Sequence, residues 1–413
     1  MTNFSDIINV LPRMKSGTDL ITALEVVPKY NPASCNADAP ARLMALSDLY
    51  RVYIPSQMSL EIYSKLYLAL LRSMQKKGTK LAIQQQNQNY RAIIQQEYSG
   101  IMGGSDSFTI IGTSGIGKSS AISRSINLIT ENRVIEVDNP YTHVVPSVIV
   151  QCPFDSSVKG LLLEVLRKVD EVLDSKYYQN ALRARATTDL LIGSVSQVAL
   201  NHIGMLVVDE IQNVANSKNG KSLIGALTQL INNSGISICM VGTPESSRFF
   251  ESAMQLARRS VGLQYTTMSN DKYFQDFCKV MFKYQYVKQK TEITDGILAW
   301  LYEHSAGITS VVVALIHDAQ EIAILNGKEI LNLESLNKAY QQRLSLLHGY
   351  IQPSVSLGRQ TFKIKKKAIV YAAENETSDD CISIADFVTK AKNENIDIVQ
   401  LLKSNMPVVE VAV

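Results

Sequence analysis

Gly112-Thr-Ser-Gly-Ile-Gly-Lys-Ser119 satisfies the pattern G-x-x-x-x-G-K-[ST] in full. Ahead of it, Ser107-Phe-Thr-Ile-Ile111 is a β-branched and aromatic run, and behind it Ser119-Ser-Ala-Ile-Ser-Arg-Ser-Ile126 opens a helical pattern. A glycine-rich loop between a strand and a helix is a phosphate cradle. Gly112, Gly115 and Gly117 let the main chain wrap a β-phosphate, which meets backbone N–H groups and the positive end of the helix. The cradle runs through Thr113, Ser114, Ile116 and Ser120 as well. Lys118 supplies a point charge to the β- and γ-phosphates, and Ser119 offers a hydroxyl to Mg²⁺. The stretch predicts a site for a nucleoside triphosphate with Mg²⁺.

A second motif lies about ninety residues further on, where Met205-Leu-Val-Val-Asp-Glu210 is an apolar strand ending in adjacent carboxylates. Asp209 is expected to hold the Mg²⁺ through water. Glu210 is expected to polarise the attacking water, because hydrolysis needs an acid beside the metal ligand and facing the γ-phosphate. A third strand, Ile236-Ser-Ile-Cys-Met-Val-Gly242, ends in Thr243, Pro244 and Glu245. Thr243 reads either as a γ-phosphate sensor or as part of a strand-ending Gly-Thr-Pro turn.

The chain has 413 residues, 46% of them hydrophobic, enough for a nucleotide-binding core and a smaller domain. Mean hydropathy is near zero and the apolar runs are short, which excludes a membrane span. The N-terminal Met1-Thr-Asn-Phe-Ser-Asp6 lacks the basic-then-apolar pattern of a secretion signal. Cys35, Cys152, Cys239, Cys278 and Cys381 form no C-x-x-C pair, and the five histidines are equally dispersed. Reduced thiols in a cytosol are the expectation, with no metal beyond Mg²⁺. A formal net charge of +3 does not announce a nucleic-acid binder, so DNA contacts must come from local basic clusters.

Alternating strand and helix patterns from 105 to 267 predict an α/β core, a parallel sheet with helices on both faces. Its strands are Phe108–Ile111, Val134–Val137, Val148–Gln151, Leu206–Asp209 and Ile236–Val241. From 268 to 349 only helical patterns recur, at Ile297–Glu303, Thr309–Leu325 and Leu333–Leu346, which predicts an all-helical lid. A P-loop core followed by a small helical bundle is the AAA+ layout. Residues 1–55, interrupted by five prolines, read as an irregular arm that docks on a partner. Within 56–104, Ser59–Lys77 is a strong amphipathic helix and a Gln-rich helix follows to Gln96. Residues 350–413 read as a linker and partner-binding tail, with a helix-like stretch at Ile384–Leu402.

The helix Met58-Ser-Leu-Glu-Ile-Tyr-Ser-Lys-Leu-Tyr67, the block Val150-Gln-Cys-Pro-Phe-Asp-Ser-Ser-Val-Lys-Gly160, the run Asp209-Glu-Ile-Gln-Asn213 and Val241-Gly-Thr-Pro-Glu245 together resemble the TnsC family. These are AAA+ regulators of transposons with a heteromeric transposase, including CRISPR-associated ones. The resemblance spans roughly residues 40–350, and the Gln-Cys-Pro block and the Asp-Glu-Ile-Gln-Asn run carry its specificity. It implies an ATPase that assembles head-to-tail into a ring or helical filament on duplex DNA. Such a homo-oligomer would connect a TniQ- or TnsD-like target selector with a TnsB-like transposase, and with a TnsA-like one, and would be reset by hydrolysis. In the cell it would be cytoplasmic, and nucleoid-associated when bound to DNA.

Head-to-tail contacts are heterologous, so one subunit can complete the nucleotide site of the next. That role needs an arginine after the sensor strand, and Arg258 and Arg259 stand in the right region, with Arg248 competing. Each reads equally as part of a solvated basic face. For DNA, Lys159 lies beside Gly160 at a helix start, and Lys218 and Lys221 lie in a polar, glycine-containing loop. Phosphate tracking is the functional reading of these lysines and plain surface charge the other. The lid stretch Ser305-Ala-Gly-Ile-Thr-Ser310 carries no arginine to reach a γ-phosphate, a departure from many AAA+ lids. Two rival readings share the core: a replication-initiator or helicase-loader ATPase, and a nucleotide-switched signalling scaffold without DNA.

Overall fold

Side chains alternate along the central strands, and that alternation sorts the core into two faces. In the computed structural model, which describes residues 11–77, 84–85, 87–89, 107–131, 133–138, 141–214, 220–247, 262–349, 368–370 and 409–411, six strands form one sheet. They are β1 (Phe108–Gly112), β2 (Ile135–Asp138), β3 (Tyr141–Gln151), β4 (Ile203–Asp209), β5 (Ser237–Gly242) and β6 (Leu263–Tyr265), in the order β2-β3-β4-β5-β1-β6. Met205 and Val207 of β4 with Cys239 and Val241 of β5 face the helices Gln57–Lys77 and Lys118–Thr130. Leu206, Val208, Ile238 and Met240 face the helices Val158–Leu173, Thr188–His202 and Gly220–Ser234. Each such buried aliphatic side chain contributes roughly 1.5–3 kcal/mol.

The predicted α/β core is present, with three differences in the sheet, the first being that the strand expected at Val148–Gln151 already begins at Tyr141. The strand expected at Val134–Val137 runs Ile135–Asp138 and pairs antiparallel with β3, as the sheet's edge hairpin, whereas the other pairings are parallel. β6 carries too short an apolar run to read from sequence, yet it extends the sheet beside β1.

The lid comprises Lys272–Lys283, Asp295–Ser305, Thr309–Leu325 and Leu333–Arg343 around its own apolar cluster. Leu46 and Leu49 of the N-terminal segment belong to that cluster. The irregularity expected over residues 1–55 is corrected here for the described part. Short helices at Gly17–Leu24, Pro32–Asn36, Ala39–Ala45 and Leu46–Arg51 pack on the chain's own core and lid. Prolines at helix starts, Pro32 and Pro40, explain the misreading, since they open these turns rather than interrupt them.

Tyrosines make the attachment. Tyr30 donates to the Gln285 carbonyl at 2.5 Å, Tyr284 to that of Pro28 at 2.6 Å, Tyr273 to that of Ile54 at 2.7 Å, and Tyr286 to Asp48 Oδ2 at 3.0 Å. Arg42, 2% exposed, forks onto Glu329 at 2.6 and 2.7 Å and reaches the Tyr286 carbonyl at 3.1 Å. That bidentate bond holds the Glu329 carboxyl below its usual range.

The chain divides into a unit of residues 1–353 and one of residues 354–413. In the second, β7 (Ala368–Val370) pairs antiparallel with β8 (Val409–Val411). The expected helices to Gln96 and at Ile384–Leu402 lie largely or wholly outside the described residues. Among the described residues no single helix is long and apolar enough to cross a membrane. Cys35, Cys152, Cys239 and Cys278 are free and buried.

Candidate active site

β1 delivers the chain to Gly112, and the loop turns on Gly115 (φ +80°) and Gly117 (φ +95°), where L side chains are strained. Helix Lys118–Thr130 begins at once, so its free N–H groups border the loop. Lys118 is buried and donates from Nζ to the Gly112 and Thr113 carbonyls at 2.6 and 2.9 Å. Burial pulls its pKa down, and the negative charges of Asp209, Glu210 and Glu245 oppose that pull.

The C-terminal end of β4 brings the acidic pair to the same place. Ser119 Oγ donates to Asp209 Oδ2 at 2.8 Å, and Asp209 Oδ1 accepts from the Glu210 N–H at 2.9 Å. A hydroxyl and a carboxylate oxygen side by side are the hard donors that fit Mg²⁺, which when bound would neutralise charge on phosphate oxygens. Glu210 leaves the strand at φ +58°, a left-handed conformation costing about 1–3 kcal/mol. Its exposed carboxylate lines a cavity of about 260 Å³ with Lys118, Ser119, Asp209, Gln212, Thr243 and Ser310.

Sequence reading missed several members of this site. The Gln212 amide donates to a Glu210 carboxylate oxygen, and its Oε1 accepts from the Thr243 N–H at 3.3 Å. The Thr243 side chain is bonded to Glu245, whose carboxyl is held below its usual range first by that bond and then by main-chain N–H donation. Thr309 Oγ1 and the Ser310 N–H both donate to the Gly115 carbonyl, at 3.0 and 3.1 Å. The arginine-free lid stretch therefore grips the phosphate loop itself. Its one legible signal was the polar pair Thr309-Ser310 after Gly307, a glycine at φ +73° set against the Met268 carbonyl.

A second cavity, of about 250 Å³, is also lined by Gly115, Gly117 and Ser120. Tyr50, Val52, Ile54, Ile116, Met268 and Val313 give it apolar walls. Those walls come from the N-terminal segment, the loop and the lid, and the Tyr273–Ile54 bond and the Val26–Tyr53 bridge hold the first in place. Arg124 lies over the Tyr53 ring at 4.4 Å. An apolar-walled cavity beside a phosphate loop suits a purine base.

The structure thus unites Lys118, Ser119, Asp209, Glu210 and Thr243. Lys159 stands apart, exposed on the first turn of helix Val158–Leu173, as does Lys221 on the first turn of helix Gly220–Ser234. The loops before these helices are linked, because Ser156 Oγ donates to the Asn213 carbonyl at 3.1 Å and Asn213 Nδ2 to that of Cys152 at 2.9 Å. Lys218, Arg248, Arg258 and Arg259 lie outside the described residues.

A mostly parallel sheet with the phosphate-loop strand between β5 and β6, an acidic strand across β5, and a helical lid gripping the loop define the AAA+ P-loop fold. Within that class, residues 64–267, just under half of the chain, match the family model of the bacterial TniB protein. The chain is similar there to a transposon-associated ATPase family. No curated protein sequence matches it. Among solved structures it is similar to the Aeropyrum pernix ORC1 protein in complex with DNA, at 12% identity and TM-score 0.42, covering 77% of this chain and 80% of that one. The Aeropyrum pernix ORC2 protein in its ADP form gives 14% and 0.42, covering 64% and 67%. Drosophila ORC bound to DNA gives 10% and 0.37, covering 88% and 85%.

Proposed function

We propose that the chain is an ATP-dependent, DNA-binding regulator of transposition that oligomerises on duplex DNA and is reset by hydrolysis. The observation that carries this reading is the overlap of the TniB-matching segment with the phosphate loop and the Asp209-Glu210 pair that line one cavity. Lys118 and the loop N–H groups bind the β- and γ-phosphates, Ser119 and Asp209 hold Mg²⁺, and Glu210 takes up the proton of the attacking water. The apolar-walled cavity holds the base. Thr243 sits where the tip of β5 meets the γ-phosphate, and an arginine among Arg248, Arg258 and Arg259 completes the site of a neighbouring copy. A TnsB-like transposase and a TniQ- or TnsD-like selector are the protein partners in this reading. The setting is a prokaryotic cytoplasm, in keeping with the free buried thiols.

For DNA, exposed Lys159 and Lys221 at adjoining helix starts, with Lys218, would follow phosphates rather than read bases. The test is a salt titration of ATP-dependent binding to unrelated duplexes. Replacing the three lysines with alanine should weaken binding uniformly across sequences and flatten the salt slope by about one counterion per lost contact. Unchanged slopes would remove these lysines, and strong intrinsic sequence preference would favour an initiator over a transposition regulator.

A further inference from the structure

We propose that Gln212 is a positioning residue that orients Glu210 and couples it to the tip of β5. The inference rests on the hydrolytic reading of this site and deepens it. Among neutral side chains, a primary amide offers a donor and an acceptor at one end. Gln212 uses both, donating to the Glu210 carboxylate and accepting from the Thr243 N–H. An exposed glutamate on a left-handed backbone has rotamers to choose from, and this bond selects one.

The amide is itself held from below. Gln212 sits in the turn Ile211–Val214, whose Ile211 and Val214 are each 1% exposed, and the neighbouring Asn213 is fixed to the Cys152 carbonyl at 2.9 Å. Gly242, the last residue of β5, leaves the space. A Cβ there would lie 2.7 Å from Ile211 Cγ2 and 3.1 Å from Gln212 Oε1. A shift of the β5 tip is therefore carried through one rigid amide to the carboxylate that activates water. Misplacing that carboxylate by about 1 Å can cost on the order of 100-fold in rate.

Two variants of the full-length chain separate the two ends of the amide. Gln212→Met keeps length and loses both bonds, while Gln212→Glu keeps the acceptor toward Thr243 and loses the donor toward Glu210. Both should lower kcat for ATP by at least about tenfold, with affinity for a non-hydrolysable ATP analogue unchanged. Hydrogen–deuterium exchange at the Thr243 amide should accelerate in Gln212→Met and stay slow in Gln212→Glu. In a Glu210→Gln background, adding Gln212→Met should cost nothing further, because the residue it positions is already disabled. Wild-type kcat in Gln212→Met, a full additional loss in the Glu210→Gln background, or a fast-exchanging Thr243 amide in the wild type would overturn the proposal. Absence of ATP turnover in the wild-type chain would instead remove the hydrolytic reading beneath it.

Discussion

In the proposed reading, the phosphate end and the base end of the site are built by opposite means. At the phosphate end, the loop after β1 and the tips of β4 and β5 converge because strand pairing puts them side by side. That register brings Lys118, Ser119, Asp209 and Glu210 together. At the base end, no strand does the work. Residues from Tyr50 to Met58 meet Met268, Tyr273 and Val313 because tyrosine hydroxyls and the Arg42–Glu329 pair pin the N-terminal segment to the lid. On that reading the sheet sets the chemistry and a tertiary strap sets the grip on the base, so turnover and base affinity should fail separately.

The largest expected effect is on the strap. Arg42→Ala leaves Glu329 without its partner and should cost about 3–5 kcal/mol in denaturant unfolding. Its KM for ATP should rise while kcat at saturation holds; a lost kcat with normal KM would break the comparison. The pair also sets an acid limit. Because the folded Glu329 carboxyl is depressed, its contribution is full above the ordinary glutamate range and lost as pH falls through the lowered value. Glu329→Gln should flatten that acid limb of stability.

Lys118→Ala comes next and strikes the other end. Losing a charged donor to phosphate, about 1.5–3 kcal/mol, should weaken ATP binding roughly 10- to 100-fold by calorimetry, with the unfolding midpoint of the free protein little changed. Gly307→Ala tests the joint between the two ends. Its φ of +73° and the collision of a Cβ with the Met268 carbonyl should cost about 1–3 kcal/mol and loosen the lid's grip on Gly115.

The smallest effect serves as a control far from both ends. Lys77 is buried, with Nζ donating to the Ala199 and Leu200 carbonyls at 2.5 and 2.7 Å, and burial pulls its pKa down to about 7. Between that value and the ordinary lysine range the unfolded chain binds a proton that the folded chain lacks, so stability should rise with pH. Lys77→Met should remove that slope between about pH 7 and 9 while leaving KM and kcat unaltered.

The phosphate end was legible because its parts are contiguous in sequence. An apolar strand ending in Asp209-Glu210 states its register and its chemistry together, as does Gly112 to Ser119. The base end was not legible, since each tyrosine that makes it looks like any surface tyrosine until its carbonyl partner, more than 200 residues away, is known. Prolines in the first 55 residues pointed to irregularity, whereas two of them open helical turns. Gln212 was visible as a letter in Asp209-Glu-Ile-Gln-Asn213, but its role depends on Thr243, which β5 brings alongside only in the fold. β6 was too short to announce itself.

The most direct test is Glu210→Gln, measured for both ATP affinity and single-turnover hydrolysis. The amide keeps the shape of the side chain and loses the base, so affinity should stay within about threefold of wild type while hydrolysis falls about 100- to 10,000-fold. Hydrolysis at the wild-type rate, or a loss of binding equal to the loss of turnover, would contradict a phosphate end that does the chemistry independently of the strap that holds the base.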